Sequence, residues 1–160
     1  MERKSFSKMR CPVARSLEHV GEWWSMLILR DALNGSTRFD EFQKSLGIAP
    51  NMLTRRLKGL VDSGLLKRRQ YSVRPPRHEY VLTEVGRDFH PIVVALMAWG
   101  NRHFAPEGIS VCLKDRETGR LAEPVLIDRI TGKEIREDRF QAVAADGLRK
   151  RAARSRRTFT

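Results

Sequence analysis

Residues 50–83, PNMLTRRLKGLVDSGLLKRRQYSVRPPRHEYVLT, change from the spacing of a helix to the alternation of strands. Up to about residue 63 the leucines recur at the spacing of one helix face, and Gly64 stands where a left-handed C-cap is expected. Beyond Gly64, the segments LLKRRQYSV and RHEYVLT predict two strands around the turn Arg-Pro-Pro-Arg at residues 74–77. The stretch therefore predicts a helix followed by a two-stranded hairpin.

Three further helices are predicted before this stretch. Residues 11–20 begin with a proline suited to the first helical position, and residues 24–33 form an apolar helix that stops at Asn34-Gly35. Thr37 and Asp40 have capping-box spacing, which predicts that a third helix opens there. Four helices and a hairpin in this order are typical of a winged helix-turn-helix domain, which is an α+β fold.

The sequence after the hairpin predicts a long helix, followed by a segment of short strands and turns. Thr83 is expected to cap a helix over residues 84–104, which Pro91 should kink or split. The segment DRETGR at 115–120 recurs as DRITGK at 128–133, and each copy predicts a hairpin turn. Three short strands near 110–114, 122–127 and 134–136 would then form a small β-meander. The predicted organisation is an N-terminal arm (1–9), a winged-helix domain (10–104), a β-rich extension (105–148) and a basic, disordered tail (149–160).

One face of the predicted fourth helix carries polar and cationic side chains. Asn51, Thr54, Arg55 and Lys58 lie opposite the leucine face at about 100° per residue. Asn and Arg can bind adenine and guanine edges with two hydrogen bonds, whereas Lys and Thr can hold phosphates. A solvated helix face would look similar, so the hairpin decides between the two interpretations.

The hairpin concentrates cations beside a stiff turn. Arginine at a rigid tip is suited to a narrow minor groove, whereas a strand edge protected from aggregation would more simply use scattered lysines. Helix and hairpin together favour DNA. The hairpin cations are Lys67, Arg68, Arg69, Arg74, Arg77 and His78. The full set of predicted DNA contacts is Ser36, Thr37, Arg38, Asn51, Thr54, Arg55, Lys58, Arg68, Arg74 and Arg77.

The composition agrees with a polyanionic partner and argues against other classes. The 160 residues carry a formal net charge of +12, with six lysines and arginines among residues 149–157. No apolar run is long enough for a membrane span, and the N-terminus lacks the apolar core of a secretion signal. The two cysteines and four scattered histidines form no metal-binding or catalytic motif, so we expect neither enzyme activity nor a metal or cofactor. A cytoplasmic location is expected.

Several short motifs occur in order along residues 10–104. They are Cys11-Pro12-Val13, Gly21, Trp24, Leu27-Ile28-Leu29-Arg30-Asp31, Arg38-Phe39-x-Glu41, Met52-Leu53-Thr54-x-Arg56-Leu57, Gly64-Leu65, Pro75-Pro76-Arg77-x-Glu79-Tyr80-x-Leu82-Thr83-x-x-Gly86, Pro91 and Trp99-Gly100. Together they resemble the HxlR family of winged-helix transcriptional regulators. Two positions depart from the family pattern, since Trp23 replaces a usual Lys and Ala49 replaces the usual capping residue before the fourth helix.

The resemblance implies a homodimeric transcription factor that reads an inverted repeat in double-stranded DNA, and we expect it to be a repressor. In such proteins the first and last helices form the dimer. The composition of the last helix also favours a dimer, because the helix has more apolar surface than one small domain can cover. The predicted interface residues are Val13, Leu17, Phe89, Ile92, Val93, Leu96 and Trp99.

Two other features leave alternatives open. Cys11, at the start of the first helix, is a candidate sensor of oxidants or electrophiles or a small packing residue at the dimer interface. Cys112 is expected to be structural, within a strand. Trp23 and Trp24 could line the pocket of a small-molecule effector, although core packing is favoured for Trp24. An alternative function for the whole chain is low-specificity binding of RNA or chromosomal DNA through the basic tail.

Overall fold

The computed structural model describes residues 5–144 and confirms the α+β winged-helix architecture. The elements are α1 (Pro12–Val20), α2 (Trp23–Leu33), α3 (Phe39–Leu46), α4 (Pro50–Asp62), β1 (Leu66–Val73), β2 (Pro76–Leu82), α5 (Glu84–Arg87) and α6 (His90–His103). The chain divides into two compact units, with the first ending at Cys112, beyond the boundary expected after residue 104. The basic tail 149–160, residues 1–4 of the arm and residues 145–148 lie outside the described residues. No helix within residues 5–144 is both long and apolar enough to cross a membrane.

The core of the first unit lies where α2, α3 and α4 meet. Burial of each large aliphatic or aromatic side chain contributes about 1.5–3 kcal/mol, so these helices fix one another's positions. The outer face of α4 is therefore held by its inner leucines. The fully buried side chains are Ile28, Leu29, Phe42, Leu53, Leu57, Leu60 and Leu66.

Helix α3 begins at Phe39 and not at Thr37, which corrects the predicted capping box. The cap is formed by Glu41, whose carboxylate accepts the backbone N–H groups of Thr37 at 2.8 Å and of Arg38 at 2.9 Å. These two hydrogen bonds lower the pKa of Glu41, with a smaller contribution from the charge of Arg38. The ionised carboxylate of Glu41 therefore holds the backbone of Thr37 and Arg38, the two residues that precede the helix.

The two strands form a tight antiparallel hairpin. Val73 pairs with Pro76, so the loop between the strands contains only Arg74 and Pro75. The register shifts between Gln70 and Ser72, which leaves Tyr71 as the extra residue of a β-bulge. The hairpin is the predicted wing, with an irregularity that the alternation of the sequence did not indicate.

The predicted last helix is split, as Pro91 suggested. The Thr83 hydroxyl accepts the N–H of Gly86 at 3.0 Å and thereby caps α5, and α6 starts one residue before Pro91. Phe89 lies between the two helices and is only 7% exposed. Gly86 is buried because α5 packs against the backbone of Leu65.

The second unit contains two successive hairpin turns and not the expected three-stranded meander. Each turn holds one isolated bridge, between Lys114 and Leu121 and between Ile127 and Glu134. Gly119 and Gly132 have φ of 71° and 66°, as the repeated motif predicted. The described residues from 113 to 144 include none that is buried, so the strands have no core to extend against.

The aspartate of each repeat closes its turn. Asp115 accepts hydrogen bonds from the backbone of Glu117 and from Thr118, and these bonds lower its pKa. Asp128 makes the same contacts with Thr131, with the same effect on its pKa. The repeat in the sequence is therefore a repeat of one local structure.

Candidate nucleic-acid interface

The outer face of α4 is fully exposed along its length. The side chains of Asn51, Thr54, Arg55 and Lys58 all lie on the solvent side, opposite buried leucines. Thr54 donates to the carbonyl of Pro50 at 2.9 Å, and Lys58 pairs with Asp62 at 2.6 Å. Asn51 and Arg55 make no side-chain hydrogen bond or ion pair with any described residue. These two side chains are therefore available to an outside partner without breaking an internal contact.

Arg56 points away from this face. Its guanidinium pairs with Glu22, the N-cap residue of α2, at 2.9 Å, and its side chain is only 19% exposed. The pair joins α4 to the start of α2 across 34 residues of sequence. Sequence reasoning missed this role, because no local spacing indicates a contact over such a separation.

The wing presents its cations unequally. Arg68 contacts His78 at 3.0 Å and Arg69 pairs with Glu79 at 2.8 Å, so both are engaged along the hairpin. Arg74 and Arg77 are exposed at the tip and have no side-chain partner among the described residues. The tip therefore offers two uncompensated guanidinium groups beyond the paired ones.

The turn before α3 lies against the wing. Thr37 and Ser36 are half-buried, and the carbonyl of Thr37 accepts the N–H of Tyr80 at 2.7 Å. Arg38 is exposed, and its guanidinium carbon lies 5.0 Å from the centre of the Tyr71 ring. Of the three predicted contact residues in this turn, only Arg38 is exposed.

Helices α1 and α6 carry an exposed apolar surface that contains five of the seven predicted interface residues. Val13, Leu17, Ile92, Leu96 and Trp99 are 45% to 67% exposed, and we refer to these five as the α1/α6 surface. None of the residues of α6 is buried, although nearly all of its first ten are apolar. This is the exposure expected of a helix that a partner covers.

Two predicted interface residues lie elsewhere. Phe89 belongs to the core of the first unit, because the break between α5 and α6 turns it inward, and this corrects its assignment to the interface. Val93 is half-buried and packs against the same core. Neither adds to the apolar surface left open to a partner.

The cysteines and tryptophans have contrasting environments. Cys11 is exposed at the N-cap of α1, so its role as a sensor stays a prediction. Cys112 is also exposed and lies outside the strands, which corrects the expectation of a strand position. Trp24 packs against the core as expected, whereas Trp23 is 74% exposed.

Comparison with known proteins shows similarity along most of the chain. HTH-type transcriptional regulator Rv3095 of Mycobacterium tuberculosis is 46% identical over 124 residues, which are 77% of this chain and 78% of that protein. The crystal structure of PA1607, a putative transcription factor, has a TM-score of 0.78 at 38% identity. The structure of PA1374 from Pseudomonas aeruginosa, also a putative transcription factor, has a TM-score of 0.61 at 50% identity. Each of the two structures covers 88% of this chain and is itself covered to 99%.

The similarity to these two structures extends into the second unit. An aligned region of 88% is longer than residues 1–112, so it includes part of the extension. The relatives named here are described as transcriptional regulators or transcription factors, and not as enzymes. The HxlR-like helix-turn-helix family itself matches residues 19–108, which hold α2 to α6 and the wing. With its winged helix and these matches, the chain belongs to the HxlR-like helix-turn-helix family.

Proposed function

We propose that this protein is a sequence-specific DNA-binding transcriptional regulator that reads an inverted-repeat operator as a homodimer. The observation that carries the proposal is the unengaged pair Asn51 and Arg55 on the exposed face of α4. In a helix-turn-helix, the second helix enters the major groove and its outer side chains meet the base edges. Asn51 would bind adenine and Arg55 guanine, each through two hydrogen bonds.

The remaining contacts follow from the position of each cation. Arg74 and Arg77 at the wing tip would enter the adjacent minor groove, where a narrow groove attracts arginine. Arg68, Lys58 and Thr54 already have partners within the chain and would contribute at most to phosphate contacts. Direct reading of bases is therefore assigned to α4, and binding strength is shared with the wing.

The homodimer is supported by the α1/α6 surface. A helix as apolar as α6 without a single buried residue indicates a covering surface, and a second copy supplies a matching one under two-fold symmetry. The two copies of α4 would then meet successive major grooves about 34–36 Å apart. Such a dimer on promoter DNA would obstruct transcription, so we propose repression as the direction of control.

The competing function is low-specificity binding of nucleic acid by the basic tail. Footprinting upstream of the protein's own gene would supply a candidate operator for comparison with a scrambled duplex and a double-stranded RNA. We expect a preference for the operator that persists as salt rises, because base contacts survive when counterion release weakens. Affinities that converge for all three nucleic acids as salt rises would favour the competing function.

Deletion of residues 149–157 separates the two contributions. Loss of six positive charges should weaken binding to every duplex and make the dependence on salt shallower, with the operator preference intact. Loss of the preference itself would assign sequence reading to the tail and contradict the proposal.

A further inference from the structure

Tyr71 of the wing and Arg38 at the start of α3 are in contact. Arg38 is the N-cap residue of α3, and Tyr71 lies in β1 of the wing. The guanidinium carbon of Arg38 is 5.0 Å from the centre of the Tyr71 ring, which is within the range of a cation–π contact. Among the described residues, no carboxylate lies within ion-pair distance of Arg38.

The β-bulge accounts for the position of Tyr71. Gln70 pairs with His78 and Ser72 pairs with Arg77, so Tyr71 is the inserted residue with no partner across the ladder. A bulge changes the direction of the side chain it carries, and here that side chain reaches Arg38. Tyr71 is 41% exposed, so the ring is not recruited to the core.

The backbone under Arg38 is also held in place. Glu41 accepts the N–H groups of Thr37 and Arg38, while Tyr80 donates to the carbonyl of Thr37. The carboxylate of Glu41 is thereby engaged with backbone and forms no ion pair with Arg38. Main chain and side chain of Arg38 are thus fixed from two sides while its guanidinium edge stays at the surface.

We infer that Tyr71 is a positioning residue that holds Arg38 ready for one phosphate of the DNA backbone. The first helix of a helix-turn-helix crosses the backbone, so the exposed start of α3 faces phosphates and not bases. A guanidinium stacked on a ring keeps its N–H edge free and loses less freedom on binding, which is a role that lysine does not share. The inference rests on the proposed function and adds the residue that prepares one of its phosphate contacts.

The test compares affinities and salt dependence for the operator among variants of the full-length dimer. Arg38→Ala should weaken binding to operator and scrambled duplex by the same factor and lower the salt slope by about two, roughly one for each subunit of the dimer. Tyr71→Leu should weaken binding by about two- to fivefold per subunit, the range of an exposed cation–π contact, and so by about five- to thirtyfold for the dimer. Tyr71→Phe keeps the ring and should bind like the wild type. Thermal unfolding of each variant without DNA serves as the control for folding.

The double variant decides whether Tyr71 acts through Arg38. If it does, Tyr71→Leu has no further effect in a chain that already carries Arg38→Ala. Equal losses in the two backgrounds would overturn the inference, as would wild-type affinity of Tyr71→Leu or an equal loss in Tyr71→Phe, which would indicate direct contact through the hydroxyl. These outcomes leave the operator preference of the wild type in place, whereas a wild type without such a preference would refute the proposed function itself.

Discussion

The backbone N–H of Tyr80 donates a 2.7 Å hydrogen bond to the carbonyl oxygen of Thr37. This bond joins β2 of the wing to the turn that precedes α3, and Arg38 stacks on Tyr71 beside it. The wing is therefore attached to the helix-turn-helix at the start of α3. Under the proposed function, such an attachment would present the wing and α4 to DNA in one fixed relative orientation, which specific binding requires.

Arg55→Ala tests whether the outer face of α4 reads DNA bases. We expect a loss of about 1–3 kcal/mol per half-site in operator binding and a relaxed preference at one base pair in each half-site. Titration against the operator and its single-base variants measures both effects. Arg116→Ala is the control, because it removes the same charge from an exposed residue of the second unit. An equal loss for every duplex would mean that Arg55 holds only a phosphate.

Leu96→Asp tests the dimer. The substitution would place a charge without a partner in the centre of the α1/α6 surface, so the protein should be monomeric and should lose specific binding. Sedimentation and a gel-shift assay measure the two properties. Ile130→Asp is the control, since Ile130 is 92% exposed and lies in the second unit. Tight operator binding by a monomeric Leu96→Asp protein would contradict the dimer.

Two glycines should respond oppositely to alanine. A Cβ on Gly86 would collide with the carbonyl oxygen of Leu65, so Gly86→Ala should destabilise the first unit by about 1–3 kcal/mol. Gly59 lies inside α4 with open space around it, and Gly59→Ala should stabilise the protein by about 1 kcal/mol. Urea unfolding compares both variants with the wild type. Wild-type stability of Gly86→Ala would show that α5 does not pack on Leu65 as described.

Glu41 should make stability depend on pH in the acid range. Its pKa is lowered by the backbone N–H groups of Arg38 and Thr37, so the folded state favours the ionised form. The stabilisation is present above the pKa of the unfolded chain and is lost as pH falls through the folded-state pKa. Glu41→Gln should therefore be less stable than the wild type at neutral pH, with a difference that closes on acidification.

Unfolding free energies measured from neutral to acid pH test this expectation. Glu107→Gln is the control, because this exposed side chain makes no hydrogen bond with the described residues. The control should follow the wild type at every pH. A constant difference between Glu41→Gln and the wild type would exclude the ionised cap as its cause.

Local patterns in the sequence predicted most of the fold. The leucine spacing, the left-handed Gly64 and the strand segments predicted α4 and the two-stranded wing. Pro91 predicted the division of the last helix, because its ring and missing N–H interrupt helical hydrogen bonding. Each of these features depends on residues close together in the chain.

The predictions that were wrong concern features that depend on contacts between residues far apart in the sequence. The spacing of the last helix places Phe89 on its apolar face, but the helix breaks between Arg87 and His90, before Pro91, and Phe89 lies in the core. The bulge at Tyr71 depends on how β1 pairs with β2, and alternation within one strand does not reveal such a shift. The extension has the turns of a meander but no core, so only single bridges form.

Selection of binding sites from a pool of randomised duplexes measures whether the protein reads DNA as a dimer through α4. The wild-type protein should enrich an inverted repeat whose half-sites are centred about one helical turn, roughly 10 bp, apart. Arg55→Ala should enrich the same repeat with one position per half-site relaxed, and Leu96→Asp should enrich none. Enrichment of no sequence by the wild-type protein, or of single half-sites with no fixed spacing, would contradict the account of a dimer that reads DNA through α4.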